Sequence, residues 1–562
     1  MLIKIKHFKR DLNKWSLLLV AISVFIAIPL FSIVINLFYG TGEMWSHIVS
    51  NLLFDYLTNS IVLLIGCGIL CFIIGTLSAW IVSKYEFKFR KTIQWLLFMP
   101  LSIPSYIVAY CYVGMLGNGG ALIRFLNYLG IKIQKIEMMN ITGLIWVLSF
   151  SLFPYVYAAT RAMFISLPNS IRDSAYLLGA SKFKYFYSIA IPLASPAIIG
   201  GIFLVSMEVL NDYGAAKYFG INTFTTGIFR TWTALEDLQS SIYLSGLLVL
   251  VVFLIFGVVK WLRNKKSYNI KLGSDQEKNN SRPELKGSKK IIYILIVLIP
   301  IIFGFILPVI QLLIWAFQTF DSIFNLELLK ILVQSLTTAI SSSLIIVLFS
   351  ILLIYISKWN FIKGLTKLAK ISTLGYVLPG AIIGIGVIRS SQTIINFFDD
   401  TFDMKIGFLF YSSSVILIYA YLFRFLAVAY NSIESNTQKI GNHLSESSYL
   451  LGLSRLKTLI KIDLPILKTT IISSFILVFI DVMKELPLTL ILKPYNLQTL
   501  AVKAYEYAED ERVAEAAIPA LMLIVLVGCL MTIFNYRFNK DIANNRINIF
   551  TLKALIGRFN KK

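Results

Sequence analysis

One polar block occurs twice in this chain. Residues Asp173-Ser-Ala-Tyr-Leu-Leu-Gly179 are followed, after nine residues, by Ile189-Ala-Ile-Pro192. Residues Glu446-Ser-Ser-Tyr-Leu-Leu-Gly452, which begin 273 positions after the first block, are followed at the same interval by Ile462-Asp-Leu-Pro465. Both blocks interrupt apolar sequence, so they predict two equivalent loops outside a bilayer at which a partner docks. This layout is typical of a transporter that a separate polypeptide drives.

The composition indicates a membrane protein. Hydrophobic residues make up 57% of the 562 residues and charged residues only 14%, whereas soluble domains carry about 25% charged residues. A helix needs about 20 apolar residues to cross a bilayer. Twelve stretches meet this requirement, at residues 15–38, 60–83, 93–116, 141–163, 192–211, 240–262, 291–316, 335–357, 371–389, 408–430, 465–484 and 514–536. We therefore predict an all-α polytopic membrane protein with about 12 transmembrane helices.

The net charge of +23 is concentrated in alternate loops. Lys and Arg are frequent in residues 1–14, 264–290 and 537–562, and none occurs in residues 39–58. Because basic loops stay on the cytoplasmic side, we expect both termini and the central linker in the cytoplasm. This distribution argues against a nucleic-acid partner, which would need one basic face on a soluble domain. The first apolar run is too long for a signal peptide and is predicted to be a retained span.

The chain divides into two similar halves. We predict a first half at residues 1–262, a cytoplasmic linker at 263–290 and a second half at 291–562, with the linker polar, basic and without periodicity. Six spans in each half, in the same order and orientation, predict a parallel repeat about an axis along the membrane normal. The matched positions are Asn59-Ser60 with Gln334-Ser335, Pro104 with Pro379, Glu208 with Asp481, Asp212 with Glu485, Thr226 with Thr499, and Arg230 with Lys503.

The residue types of the repeated blocks suit a docking loop. Ser174 and Ala175 are small, as are Ser447 and Ser448, and we expect them to allow close approach by a partner. The Leu pairs that follow offer apolar surface, which a purely solvated loop would not need. Gly179 and Gly452 allow a sharp change of direction between two short helices. Pro192 and Pro465 are expected where the following spans begin, since a helix start tolerates proline.

The blocks resemble the EAA loop of ATP-binding-cassette importer permeases, which reads Glu-Ala-Ala, three residues, Gly, nine residues and Ile-x-Leu-Pro. This chain has Asp173-Ser-Ala and Glu446-Ser-Ser in place of Glu-Ala-Ala, changes that keep size and charge. The resemblance implies the type I importer fold, in which each loop forms a coupling helix on an ATPase subunit. The implied coupling residues are Asp173, Ser174, Ala175, Gly179, Pro192, Glu446, Ser447, Ser448, Gly452 and Pro465.

The resemblance also implies partners. The chain has no GxxxxGK[ST] phosphate loop, so we expect ATP and magnesium on a separate ATPase in two copies, and no cofactor or enzyme activity on this chain. An extracytoplasmic binding protein would deliver the substrate, and the complex would lie in the cytoplasmic (inner) membrane of a bacterium.

The fused arrangement is similar to that of ferric-iron permeases and, less closely, thiamine permeases. The iron resemblance rests on Asn211-Asp-Tyr-Gly214 with the following stretch to Trp232, and on Lys484-Glu-Leu-Pro487 with the stretch from Tyr505 to Ala517. Ferric iron is the leading substrate, with thiamine or another small solute as the alternative. A twelve-span secondary transporter is the rival class, but it needs no paired EAA loops. The scattered histidines disfavour a membrane enzyme.

Four carboxylates form a candidate pathway. Glu208 and Asp212 are four residues apart near the end of one span, and Asp481 and Glu485 are four apart at the matching end of another. Each pair can share a helix face. Carboxylates within a bilayer usually face a bundle interior or a wet cavity, and oxygen ligands suit a hard cation. The open alternative is a set of structural ion pairs, with Lys484 or Lys217 as partners. No metal-binding site is predicted firmly.

Overall fold

A computed structural model describes residues 14–265, 282–285, 287–359, 363–405, 407–408, 413–440 and 443–533. Within these residues the secondary structure is helical, apart from an isolated bridge between Glu86 and Glu284. Most of the basic N-terminal segment, the centre of the predicted linker and the C-terminal basic segment lie outside the described residues.

The first half contains thirteen α-helices within the described residues. They are α1 (Lys14–Asn36), α2 (Trp45–Asn51), α3 (Leu53–Lys84), α4 (Arg90–Leu96), α5 (Ser105–Leu116), α6 (Ala121–Tyr128), α7 (Ile141–Ser166), α8 (Asn169–Leu177), α9 (Lys182–Tyr185), α10 (Ile191–Asn211), α11 (Gly214–Tyr218), α12 (Phe224–Thr233) and α13 (Leu238–Lys265). A 3₁₀ turn at Met99–Ser102 precedes α5, and a π-helical turn at Phe186–Ala190 joins α9 to α10.

The second half repeats this order. Its described helices are α14 (Ser288–Ile301), α15 (Leu307–Ile323), α16 (Leu326–Trp359), α17 (Lys363–Ile371), α18 (Gly380–Phe402), α19 (Val415–Ile440), α20 (His443–Leu450), α21 (Arg455–Thr458), α22 (Leu464–Ile466), α23 (Lys468–Lys484), α24 (Pro487–Leu492), α25 (Leu500–Glu509) and α26 (Ala517–Ile533). π-Helical turns lie at Ile302–Ile306 and Leu459–Asp463, and a 3₁₀ turn at Ser372–Val377 precedes α18.

The described residues contain ten helices that are long and apolar enough to cross a membrane. An eleventh span is possible if Arg455–Ile466 and Lys468–Lys484, which meet at a 75° bend, cross together. The shorter apolar helix Ala517–Ile533 occupies the place of the twelfth predicted span. The all-helical, multi-pass prediction is confirmed, whereas the count of twelve stays a prediction.

Each half is built on a three-helix core. Helix α7 packs against both α3 and α10, and the equivalent helices α16, α19 and α23 pack on one another in the second half. Small residues permit the close approach in the first half, as is usual between membrane helices. A Cβ atom at Gly75 would lie 2.8 Å from Val156 Cβ, and one at Gly201 would lie 2.7 Å from Val156 Cα.

The halves are interlocked by their first spans. Helix α1 packs on α18 of the second half, and α15 packs on α5 of the first half. Hydrogen bonds cross both seams: the Tyr112 hydroxyl donates to the Phe303 carbonyl oxygen at 2.6 Å, and Arg389 Nε donates to Asn36 Oδ1 at 2.8 Å. The two halves therefore share one core.

The structure confirms most of the matched positions and corrects one stretch. Pro104 and Pro379 directly precede α5 and α18, so both prolines interrupt spans as predicted. Thr223 is the N-cap of α12, and Thr499 is the N-cap of α25. The pairing of Thr226 with Thr499, and of Arg230 with Lys503, was therefore wrong by three residues. The second half has three extra residues between the break after its long helix and this cap.

The described residues near the end of the predicted linker lie against the first half. Residues 282–285 run beside the turn that follows α3, where Glu86 N donates to the Pro283 carbonyl oxygen at 3.1 Å. Leu285 N in turn donates to the Glu86 carbonyl oxygen at 3.2 Å, and the Leu285 side chain is buried. The linker was predicted to be polar and without periodicity, but this stretch of it is attached to the first half by an apolar residue and two backbone hydrogen bonds.

Two adjacent glycines test the packing of α7 on α10. Gly201→Ala places a methyl group against the α7 backbone, whereas a Cβ atom at Gly200 meets nothing within 4 Å. Both changes gain the same helix propensity, so their difference isolates the steric effect, and overpacking costs about 1–3 kcal/mol. We expect Gly201→Ala to lower the thermal unfolding temperature of the purified permease relative to Gly200→Ala. Equal unfolding temperatures would refute the close contact.

Candidate functional site

The two repeated blocks fold into matching pairs of short helices. In the first block α8 ends at Leu177 and Ser181 caps α9; in the second, α20 ends at Leu450 and Ser454 caps α21. The turns between them require Gly179 and Gly452, whose φ angles are +80° and +83°. Only glycine adopts this left-handed conformation without strain. The predicted sharp change of direction is therefore present in both halves.

The tips of these turns are apolar and exposed. Leu177 and Leu178 are 89% and 87% exposed, and Leu450 and Leu451 are 90% and 84% exposed. Four exposed leucines at two equivalent points form apolar surface of the kind at which partner proteins dock. The acidic residues Asp173 and Glu446, together with Ser174 and Ser447, also lie on the exposed side.

The other small residue of each block packs inward. Ala175 is 5% exposed and Ser448 is 2% exposed, and the Ser448 and Thr458 hydroxyl oxygens lie 2.6 Å apart. The expectation that these two residues admit a partner was wrong, because each fills the angle between the two short helices of its own loop.

Both loops continue directly into long helices. In the first half, residues Lys182–Asn211 form one helix of 30 residues. Pro192 is the second residue of α10, as predicted, although the chain is already helical before it through α9 and the π-helical turn. The preceding π-helical turn makes this possible, because it already departs from the i→i−4 pattern that a proline cannot join. Pro465 also follows a π-helical turn, but there the helix bends by 75° before Lys468.

The far ends of these helices meet at one cavity between the halves. The cavity has a volume of about 120 Å³, and its lining includes all four predicted carboxylates: Glu208, Asp212, Asp481 and Glu485. The clustering predicted from the repeat is therefore present. Within the described residues no three His, Cys, Asp or Glu side chains come close enough to hold a metal ion.

Asp212 lies at the break that ends α10. Its Oδ1 atom accepts hydrogen bonds from Ala215 N at 3.0 Å and Ala216 N at 3.1 Å, and its Oδ2 atom accepts one from the Ser105 hydroxyl. The carboxylate thus satisfies N–H groups at the start of α11, which a bilayer interior would otherwise leave unpaired.

Glu485 likewise accepts a backbone hydrogen bond in the second half, and it also lies beside a cation. Its Oε1 atom accepts a hydrogen bond from Leu488 N at 3.0 Å, at the start of α24. Its Oε2 atom lies 3.2 Å from Arg424 Nε, and both side chains are almost fully buried. Arg424 Nη1 also donates to the Leu378 carbonyl oxygen at 3.1 Å.

Asp481 and Glu208 show a similar difference in their partners: the second-half residue lies near a cation, and the first-half residue contacts a tyrosine hydroxyl. Asp481 Oδ1 lies 3.9 Å from Lys484 Nζ, which also donates to the Leu101 carbonyl oxygen at 3.2 Å. Glu208 takes part in no salt bridge among the described residues, and its Oε1 atom accepts a 3.3 Å hydrogen bond from the Tyr155 hydroxyl. Lys217, which the sequence offered as a partner, is exposed.

The asymmetry follows from substitutions at matched positions. Arg424 corresponds to Ser151 in the first half, and Gly380 corresponds to Ser105. A Cβ atom at Gly380 would lie 2.9 Å from Glu485 Oε1 and 3.3 Å from Arg424 Nη1, so glycine makes room for the ion pair. The second half therefore places cations beside its carboxylates, whereas the first half gives its carboxylates hydroxyl and backbone N–H partners.

Tyrosines pack beside the cavity, away from the repeated loops. Tyr106 lines the cavity and its hydroxyl donates to the Ala501 carbonyl oxygen at 3.1 Å. The Tyr505 ring lies 6.3 Å from that of Tyr106 and 5.9 Å from that of Tyr213. Sequence reasoning missed this cluster and also missed Arg424. An arginine within an apolar span was an available indication, since such residues are rarely placed there without function.

The Arg424–Glu485 pair leads to a prediction about the thermal stability of variants at these two positions. Arg424→Met leaves a buried carboxylate without its cation, a change that costs about 3–5 kcal/mol. Adding Glu485→Gln removes the unpaired charge, and we expect the double variant to recover much of this loss. Thermal unfolding of the purified variants measures both effects. If the double variant is no more stable than Arg424→Met, the two side chains are not coupled as described.

Comparisons with known proteins agree with this architecture. Residues 71–267 match the family described as binding-protein-dependent transport system inner membrane component. The chain is 22% identical over 486 residues to the Fe(3+)-transport system permease protein FbpB 2 of Haemophilus influenzae, across 84% of this chain and 88% of the relative. It is 22% identical over 549 residues to the ferric transport system permease protein FbpB of Actinobacillus pleuropneumoniae, across 92% of this chain and 77% of the relative.

Shorter alignments reach other transport systems. Over 185 residues the chain is 28% identical to the spermidine/putrescine transport system permease protein PotB of Escherichia coli, across 32% of this chain and 66% of the relative.

Proposed function

We propose that this chain is the permease of a binding-protein-dependent importer with both halves fused, and that its cargo is ferric iron. Two relatives that align with most of the chain carry ferric transport in their names, whereas the spermidine/putrescine relative aligns with a third of it. Thiamine or another small solute is the alternative, and no relative above carries a thiamine name. A secondary transporter is not favoured.

One observation carries the proposed mechanism: a single helix joins the first docking loop to the cavity. Residues Lys182–Asn211 start at the loop and end beside Asp212. At 1.5 Å per residue this helix is about 45 Å long, comparable to a bilayer. A displacement imposed at the loop therefore moves Glu208 and Asp212 at its other end. The second half has a bend in the equivalent path, so the two halves respond differently.

The partners follow from the two loops. We infer two copies of a separate ATPase subunit, one on each leucine-tipped turn, with ATP and magnesium bound by that subunit and no cofactor on this chain. A substrate-binding protein would deliver iron at the opposite end of the bundle. The chain would lie in the inner membrane with both loops, the linker and the termini on the cytoplasmic side.

The first-half carboxylates would meet the cargo. Glu208 and Asp212 take part in no salt bridge among the described residues, although Arg424 and Lys484 line the same cavity, and carboxylate oxygens suit a hard cation. Asp481 and Glu485 are held by Lys484 and Arg424. Since no three-ligand cluster exists in the described residues, the cavity would guide the ion by charge rather than trap it.

The exposed leucines give a test of docking. Leu178→Asp combined with Leu451→Asp places charge on both turn tips, where burial by a partner would be unfavourable without a counter-charge. Because both side chains are exposed, we expect normal membrane insertion but loss of ATPase co-purification and at least a tenfold loss of uptake. Tyr128→Asp, an 87% exposed aromatic residue on α6 at the opposite end of the bundle, is the control and should leave ATPase co-purification unchanged. Normal co-purification in the double variant would contradict docking here.

Substrate identity is tested in proteoliposomes that contain the permease with its ATPase and binding protein. We expect ATP-dependent uptake of ⁵⁵Fe(III), unaffected by excess thiamine, sulfate or spermidine. Because the binding protein contributes selectivity, binding of each solute to that protein alone is measured in parallel. ATP-dependent thiamine uptake without iron uptake would overturn the iron assignment while leaving the permease class intact.

A further inference from the structure

A second pocket lies beside the first docking loop. It has a volume of about 410 Å³, and its lining comes from the end of α3, the loop helices α8 and α9, and the ordered linker stretch. We call it the linker pocket; it is lined by Trp80, Lys84, Tyr85, Arg172, Asp173, Tyr176, Lys182, Tyr185, Arg282 and Pro283.

The linker pocket is strongly basic. Lys84, Arg172, Lys182 and Arg282 face one carboxylate, Asp173, whose Oδ1 atom already lies 2.9 Å from Arg172 Nε. A further carboxylate, Glu86, is shared between Arg90 at 3.0 Å and Arg282 at 3.6 Å. Lys84 and Lys182 have no acidic partner among the described residues. Gathering like charges costs free energy that an anion would offset.

Arg282 shows this crowding directly. Its Nε atom donates to the Ser83 carbonyl oxygen at 3.1 Å, which fixes the guanidinium at the pocket wall. Burial, and then the neighbouring Arg90, lower the pKa of this guanidinium from its ordinary value. Arginine stays protonated in proteins, so the side chain retains its charge and remains available to an anion.

The second half provides an internal comparison. At the corresponding end, the cavity lined by Tyr355, Lys358 and Asp463 measures only about 10 Å³. There the Ser445 hydroxyl accepts a hydrogen bond from Lys358 Nζ at 3.1 Å and donates one to Asp463 Oδ1 at 3.1 Å. The residue that matches Asp463 in the first half is Ala190. The second half thus places a carboxylate beside Lys358 through the Ser445 hydroxyl, at a position where the first half has alanine.

We propose that the linker pocket binds the phosphate group of an anionic ligand, which bridges the linker through Arg282 and the first docking loop through Arg172 and Lys182. Arginine and lysine are the usual phosphate partners, and the aromatic walls leave room for more than the phosphate itself. An acidic phospholipid headgroup and a soluble phosphate compound share this chemistry, and basic pockets at membrane surfaces bind such headgroups. We expect a ligand bound in the linker pocket to restrain the first docking loop during coupling, and this expectation rests on the proposed function.

The test uses the full-length permease without its ATPase, so that no nucleotide site competes. Equilibrium dialysis with ³²P-labelled pyrophosphate in nanodiscs of neutral lipid measures the soluble source. Native mass spectrometry of the protein in detergent, after exchange with phosphatidylglycerol and phosphatidylcholine, measures the lipid source. We expect Lys84→Gln with Arg282→Gln to weaken one of these ligands at least tenfold.

Three further variants keep the proposal falsifiable. Lys91→Gln removes an exposed charge at the same end of the bundle outside the pocket, and it should bind both probes normally. Arg282→Lys keeps the charge and should retain most of the binding. Lys182→Gln alters an exposed side chain that lines the pocket. It replaces the double variant in the binding measurements if the double variant does not fold. Equal binding of both probes by all variants would overturn the proposal. Loss of ATPase co-purification with unchanged probe binding would also overturn it, because the pocket would then serve a protein partner.

Discussion

A helix that stops inside a bilayer leaves backbone N–H groups that water cannot reach, and the rest of this structure depends on how they are satisfied. Both long helices that arrive from the docking loops end beside the central cavity. Asp212 accepts hydrogen bonds from the start of α11, and Glu485 accepts one from the start of α24. Carboxylates are therefore needed at these two positions for the fold, whatever passes between them. Their negative charge is then available to a cation at no further structural cost.

The two halves solve this shared requirement in different ways. In the second half Arg424 pairs with Glu485, and Gly380 leaves the space that this pair occupies. Lys484 lies near Asp481. The first half instead uses the Ser105 hydroxyl and leaves Glu208 with a single tyrosine contact. The two halves are different stretches of one chain rather than two copies of one subunit. Their sequences can therefore differ at matched positions. We infer that the second half contributes mainly rigidity and the first half mainly the charge that a cation meets.

Much of this organisation could be predicted from the sequence, because it is periodic or repeated. The spacing of the two blocks indicated both turns, and the glycine positions indicated their geometry. The offset between the halves indicated that four carboxylates would lie together, and all four line one cavity. Contacts between distant segments could not be predicted in this way. The Arg424–Glu485 pair depends on how α19 meets the break after α23, and the exchange of first spans depends on helix packing that a repeat does not specify.

Smaller deviations have local causes. The inward packing of Ala175 and Ser448 depends on the angle between two short helices, which composition does not reveal. The three-residue shift before Thr499 arises where the breaks after the long helices differ in length. The attachment of residues 282–285 depends on one apolar residue and two backbone hydrogen bonds within a polar segment.

The central inference is that, beside the structural roles of Asp212 and Glu485, Glu208 serves the cargo whereas its matched residue Asp481 serves the fold. It is tested most directly by comparing Glu208→Gln with its matched change Asp481→Asn in the assembled importer. ATP-dependent ⁵⁵Fe(III) uptake is divided by the amount of complex that forms with the ATPase. We predict that Glu208→Gln lowers uptake per complex at least tenfold with normal assembly, whereas Asp481→Asn lowers it far less. Equal uptake per complex in the two variants, or a loss of assembly in Glu208→Gln that accounts for its uptake defect, would contradict the account.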